Sequence, residues 1–324
     1  MHTETTADGP EETTPFSFPL DGWLERQRFG PGLTIFFGLI LGFLAFQGIS
    51  LVVMLLAIVA TSDLQDLVAL DPSTLVETYA SELLVANTVG QFLGLLGLGW
   101  LFATLHTSRP AEMLRIRGTS VRLVVLSLVG LVALFPLVQW VGSMVDALPW
   151  PESIRRFEQT QMDLLEQVLA TDLGFFFTLF TMAITPALCE EVFFRGYIQR
   201  QSERMFSTWV PAVVFTGVVF GLYHMRLTQA VPLSMLGIYM AYVVWVSRSL
   251  VPGVLVHLAN NGFAVTLGAY ISASETLSVQ DLESIDFPAW VIILSAAAFT
   301  LVVRALHRDT RNNTEKSHGQ AAHI

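Results

Sequence analysis

Of 324 residues, 53% are hydrophobic and only 14% are charged, and the mean hydropathy is +0.58. Soluble domains carry about 25% charged residues, so this composition excludes an ordinary water-soluble enzyme; its apolar runs are continuous rather than alternating, which excludes a membrane β-barrel. The net charge of −10, from 27 acidic against 17 basic side chains, argues against nucleic acid as a partner, and a single cysteine, Cys189, rules out an intramolecular disulfide.

Residues 1–28 are polar, acidic and lack the basic n-region and early apolar stretch of a cleavable signal. We expect a disordered cytoplasmic tail there, ending in an interfacial stretch around Phe16 to Trp23. Apolar runs of membrane-crossing length then follow. They place eight spans at 33–60, 83–105, 123–146, 173–197, 208–225, 231–247, 250–271 and 288–304, with a polar tail from Asp309 to Ile324. Residues 152–170 differ from these runs. Ile154, Phe157, Met162, Leu165, Val168 and Leu169 recur at helical spacing among acids and amides, which predicts an amphipathic helix on the outer interface or capping the bundle. The expected fold is all-α, a polytopic membrane helical bundle of about eight transmembrane helices with its active site inside the bundle. Four regions divide it: the tail 1–28, the N-terminal helices and outer amphipathic helix 29–172, a catalytic core 173–271, and the last helix and tail 272–324.

Loop charges give the orientation. Thirteen basic residues fall on the side of the N-terminus (Arg26, Arg28, Arg109, Arg115, Arg117, Arg122, Arg200, Arg204, Arg248, Arg304, Arg308, Arg311 and Lys316), and three on the other (Arg155, Arg156 and Arg226). By the positive-inside rule both termini are expected in the cytoplasm, in a plasma or inner cell membrane.

Ionised groups in hydrocarbon cost at least a few kcal/mol, so those inside apolar runs ask for a reason. Apart from Asp146 and Arg304 at their last residues, five of the eight spans contain none, while the other three hold Glu190, Glu191, Arg195, His224 and His257, the last two being the histidines within apolar runs. Glu191 and Arg195 are i and i+4 on one helical face and can pair. Glu190 is turned by about 100° and left without that partner, free to serve as a general base. Pro186, four residues before it, should kink the helix and free a carbonyl. His257 and Asn261 are again i and i+4, and His224 follows Phe220 at the same spacing. An ion pair or an interhelical polar contact could explain each cluster singly. Together they supply a base, two imidazoles and an amide, the groups needed to activate water and stabilise an oxyanion. Cys189, with no cation adjacent, reads as a packing residue.

Glu190-Glu191-x-x-x-Arg195, Phe220-x-x-x-His224 and His257-x-x-x-Asn261, in this order on successive helices, resemble the CPBP family of intramembrane proteases, which includes the type II CAAX prenyl endopeptidases. The resemblance covers roughly residues 173–271. It implies an endopeptidase acting near the cytoplasmic face, in which Glu190 activates water with help from His224. His257 and Asn261 would stabilise the oxyanion, and Glu191 and Arg195 would brace the helix. Members have also been described as metalloproteases, and Glu190, His224 and His257 could together hold Zn²⁺. The chain has no His-Glu-x-x-His helix, so the cofactor is either none or Zn²⁺. Expected partners are membrane lipids and a peptide or protein substrate, lipidated or simply membrane-associated. The alternative is a non-catalytic scaffold or bacteriocin-immunity-type protein of the same fold; a proton-coupled transporter ranks below it, for want of paired broken helices or an internal repeat.

Depth raises a conflict. Helix rise puts Glu190 and His257 about 10 Å from the cytoplasmic ends of their spans but His224 about 20 Å from its own. Either the helix of His224 starts farther into the cytoplasm or the turn Met225–Ala230 is sunk below the outer surface; the shortness of spans 208–225 and 231–247 favours the sunken turn, with Arg226 and Gln229 facing the interior.

Overall fold

Long apolar stretches of Leu, Val, Phe and Ala leave the backbone one way to satisfy its N–H and C=O groups away from water, the helix. In the computed structural model, which describes residues 18–61, 72–170, 173–272, 274 and 287–321, helices are the regular structure throughout and the described residues contain no strand. Chain order runs α1 (Trp23–Arg26), α2 (Pro31–Thr61), α3 (Pro72–Gly90), α4 (Leu98–His106), α5 (Pro110–Met113), α6 (Val121–Asp146) and α7 (Glu152–Ala170). It continues with α8 (Phe175–Leu179), α9 (Thr185–Glu190), α10 (Gln199–Met205), α11 (Trp209–Tyr223), α12 (Ala230–Ser247), α13 (Val251–Ser272) and α14 (Ala289–Ala321).

Two of the long rods are built from α-helical pieces joined by π-helical turns. Gln91–Gly97 links α3 to α4; Phe180–Ile184 and Glu191–Ile198 flank α9 and continue into α10. Counted as continuous rods, seven helices among the described residues are long and apolar enough to cross a bilayer. The eighth expected span, α11, has 15 residues. At 1.5 Å per residue it is about 22 Å long, short of the ~30 Å hydrocarbon core. The protein is therefore a multi-pass membrane bundle, with seven full-length helices and one short one among the described residues. Its outward side chains are large and apolar: Leu44, Leu56, Val132, Phe176 and Ile293 are all more than half exposed, as lipid-facing residues are.

Cross-bundle contacts sort the loops onto two ends. Glu25 pairs with Arg204, Gly22 N donates to His106 O, Leu250 N donates to Arg115 O, and Trp245 stacks on His307, so the strap before α2, the α4–α6 loop, the end of α10 and the α12–α13 loop share one end. This is the set that carries most of the arginines. The turn after α11 and helix α7 meet at the other.

The expected tail 1–28 has a docked end. Residues 1–17 lie outside the described residues, but Phe18 and Leu24 are buried in the main core and Thr107 Oγ1 donates to Pro19 O. Asp21 accepts from both the backbone N–H and the hydroxyl of Ser108, which hold its carboxyl below the ordinary 3.8. A group with a lowered folded-state pKa supports the docked form at neutral pH, and that support fades as pH falls through the lowered value. Asp21→Ala should accordingly speed tryptic nicking at Arg26 and Arg28 at neutral pH; an unchanged rate would show that the strap does not depend on Asp21. The helical backbone of α14 also continues through the polar segment as far as Ala321.

Glycines set the closest packing. A Cβ at Gly217 would meet Ile238 N at 2.3 Å, and one at Gly237 would meet Gly217 O at 2.7 Å. Bare backbone here lets α11 and α12 touch, and presents Gly237 O to the neighbouring rod.

Candidate active site

The site forms where the rod α9–α10 passes α11, α12 and α13. Glu191 and Arg195 stand four apart on the π-helical turn and pair as expected, Arg195 Nη1 donating to Glu191 Oε1 at 2.6 Å with both side chains fully buried. Arg195 Nη2 donates to Gly237 O at 3.1 Å, and its guanidinium lies 4.1 Å over the Phe220 ring. A charge this deep is tolerated because a carboxylate, a carbonyl and an aromatic face all receive it.

His257 lies between the two glutamates. Its Nδ1 is 3.0 Å from Glu191 Oε1, and its Nε2 is 4.0 Å from Glu190 Oε2. Glu190 Oε2 is buried with no hydrogen-bond partner among the described residues, as the 100° offset from Glu191 predicts. Glu191 is more than a brace, because it also orients His257, as a carboxylate orients an imidazole in other catalytic constellations.

His224 joins through Phe220. The Phe220 ring lies 4.7 Å from the His224 ring and 5.8 Å from the His257 ring, so one aromatic spaces both imidazoles and supports Arg195. His224 Nδ1 is 2.8 Å from Phe220 O. A carbonyl can only accept, so Nδ1 carries the proton and Nε2 is left as the proton-accepting nitrogen.

Asn261 answers Pro186. A proline has no N–H, so the carbonyl four residues back, Met182 O, loses its helical donor. Asn261 Nδ2 donates to that carbonyl at 3.4 Å, while its Oδ1 accepts from Asn260 at 3.1 Å. One N–H of the Asn261 amide remains available.

The suggested metal ligands do not gather. Among the described residues no three His, Cys, Asp or Glu side chains are grouped as metal ligands would be. Glu190, His224 and His257 as they stand do not fit a Zn²⁺ centre. Cys189 is fully buried and packs in the core.

Sequence reasoning missed four residues. Gly253, one turn before His257, faces the Glu191 carboxylate so closely that a Cβ would sit 2.7 Å from Oε2. Gly253→Ala should displace Glu191 and misorient His257, lowering kcat on the order of 100-fold, since misplacements of about 1 Å cost that much; undiminished turnover would show that Glu191 does not set the imidazole. Glu158, on the buried face of α7, accepts from Thr228 N at 2.9 Å and from the Thr228 hydroxyl, and so pins the turn that follows His224. That turn begins with Met225 in the left-handed region, at φ 57°. Within it Arg226 and Gln229 are half-buried, and Arg226 Nε has no partner among the described residues. His106, which falls just beyond an apolar run, is fully buried at 2.6 Å from Glu25, and Phe220 had no role beyond its place in a motif.

A cavity of about 420 Å³ adjoins the site, lined by Gln47, Ser50, Met54, Leu83, Leu164 and Met182 among others. Met182 is shared, lining the cavity while its carbonyl accepts from Asn261.

No curated protein and no solved structure matches the chain. Residues 172–263 match the family model described as Type II CAAX prenyl endopeptidase Rce1-like, a stretch that encloses Glu190, Glu191, Arg195, His224, His257 and Asn261. The likeness carried by three short motifs thus extends over this whole stretch, which is similar to the CPBP, or CAAX protease-like, family.

Proposed function

We propose that the protein is an intramembrane endopeptidase in which Glu190 activates water to cleave peptide bonds of membrane-associated or lipidated substrates. One observation carries the reading: a buried carboxylate oxygen with no hydrogen-bond partner among the described residues, 4.0 Å across a gap from an imidazole whose other nitrogen is already held by a second carboxylate. A polar gap of that width accepts a water bonded to both sides.

In the reaction, the water oxygen bonds to the substrate carbonyl carbon as its proton passes to Glu190. The oxyanion takes the spare N–H of Asn261, and a proton on His257 Nε2 gives it a second donor. That proton also brings the set of Glu190, Glu191, Arg195 and His257 to zero net charge, a favourable state in a low-dielectric site. The C–N bond then breaks, and the departing amine takes the proton held by Glu190. His224 Nε2 is a second acceptor on the same path. Such general acid–base steps contribute about 10²- to 10⁴-fold each.

The 420 Å³ cavity has the size of a small-molecule pocket and mostly apolar walls. It would take an apolar part of the substrate, side chain or lipid, beside the scissile bond. The arginine-rich end would face the cytoplasm of a cell membrane, with both termini there.

The test is cleavage of quenched, membrane-anchored peptides by the protein in lipid nanodiscs, with products identified by mass spectrometry and parallel reactions containing a chelator. Defined endoproteolytic products are expected. Products formed only without chelator would replace Glu190-activated water with a metal-bound one, and no cleavage across apolar and lipidated peptides would overturn the reading in favour of a scaffold.

A further inference from the structure

A group of arginines at the end of the bundle opposite helix α7 gathers around a single carboxylate among the described residues. Arg115 Nη2 and Arg200 Nη1 both donate to one oxygen of Glu203, Oε2, at 2.7 and 2.9 Å, and all three side chains are less than 10% exposed. Arg115 Nη1 is buried and has no hydrogen-bond partner among the described residues. Two further arginines join them. Arg115 O accepts from Leu250 N, and Arg117 Nε donates to Arg248 O at 2.6 Å, which stitches the loop before α6 to the loop between α12 and α13. Burial pushes the Arg248 guanidinium below its ordinary range; Arg115 and Arg117 push it further down, and Glu203 opposes them.

Among the described residues, four guanidinium groups therefore face one carboxylate. Elsewhere at this end the charges balance more closely, as where Arg204 grips Glu25 beside His106. The neighbours of the exposed pair, Arg117 and Arg248, are also informative. Ile116 and Val121 are 49% and 78% exposed, and Val251 is 38% exposed. Exposed aliphatic side chains beside unbalanced guanidinium groups match a molecule with a phosphate and hydrocarbon tails. Guanidinium is also the side chain best shaped to bind phosphate oxygens in pairs.

We propose that Arg115, Arg117, Arg200 and Arg248 form a site for the phosphate of an anionic phospholipid. Arg117 and Arg248 contact the phosphate from the surface, Arg115 and Arg200 supply the positive field beneath it, and the acyl chains lie along Ile116, Val121 and Val251. The site is separate from the proteolytic centre: His257 lies seven residues beyond Leu250, about 10 Å further along the chain's helix.

The experiment uses the full chain in dodecyl maltoside, with thermal unfolding followed on adding phosphatidylglycerol, phosphatidylcholine or inorganic phosphate. Phosphatidylglycerol should raise Tm in a dose-dependent way, and the gain should shrink as NaCl rises and the Debye length falls from about 10 Å towards 3 Å. The pair Arg117→Ala and Arg248→Asn, chosen because Asn tolerates the left-handed backbone at residue 248 (φ 55°), should keep the lipid-free Tm and weaken the phosphatidylglycerol effect at least tenfold. If that pair lowers the lipid-free Tm, the salt dependence of the wild type decides: a gain unmoved by salt overturns the proposal. Equal gains from phosphatidylcholine, or a double variant with an unweakened response, would also overturn it. An equal gain from inorganic phosphate would replace the lipid with a free anion.

Discussion

Glu190→Gln should reduce peptide cleavage by about 10²- to 10⁴-fold, the range of a lost general base, and should leave Tm nearly unchanged. The second half of that expectation follows from the geometry. Glu190 Oε2 makes no hydrogen bond that the amide would forfeit, and removing a buried charge relieves rather than imposes a desolvation cost. Glu191→Gln, next door, should behave differently. It weakens the bond to Arg195 and the orientation of His257 together, so both Tm and turnover should fall. The contrast between two adjacent glutamates is measured by kcat with substrate in excess, alongside thermal unfolding of each variant. A Glu190→Gln enzyme within tenfold of wild type would remove Glu190 as the base.

Arg195→Met is the stability counterpart. Removing one member of a buried pair leaves the other charge uncompensated, at a cost of about 3–5 kcal/mol. Here the loss is threefold: the ion pair to Glu191, the bond to Gly237 O that ties the rod to α12, and the cation over Phe220. Glu190 and Glu191 would then face each other with only His257 between them. Adding Glu191→Gln to Arg195→Met should recover part of the lost stability, because the orphaned charge is gone, while leaving cleavage abolished. Stability read by titrating denaturing detergent into mild-detergent micelles would check both steps. A single variant as stable as wild type would mean that the pair is not what holds α9–α10 against its neighbours.

The helices were legible because each apolar run must close its own hydrogen bonds, and the Glu191–Arg195 pair because i and i+4 share a face. The amphipathic reading of 152–170 was legible for the same reason, although its most consequential side chain, Glu158, lies on the buried face among the apolar ones. Its partner, Thr228, is 70 residues away, and no local pattern connects them. Gly253 escaped notice because the steric need for a missing Cβ exists only once α13 lies against Glu191. The shortness of α11 was visible as a depth conflict at His224, and the length of the folded helix agrees with it. His106 was hidden by its place one residue beyond an apolar run, where a solvated helix end is the ordinary outcome and burial beside Glu25 is not. The π-helical turns left no mark in the periodicity, since these helices are apolar on nearly every face and carry no hydrophobic stripe whose shift could be seen.

Those wide turns make the chain's length, and not only its composition, part of the catalytic design. A wide turn holds roughly one residue more than the α-helical turn it replaces, which is worth about 100° of rotation for everything downstream. The turn Glu191–Ile198 comes between Glu190, which faces His257, and Arg200 and Glu203, which face Arg115. Dropping a single residue there would let the backbone relax into a regular helix, and the two faces would fall out of phase. Substitutions in this stretch can be absorbed one contact at a time; an insertion or deletion cannot, because it re-aims half the rod at once.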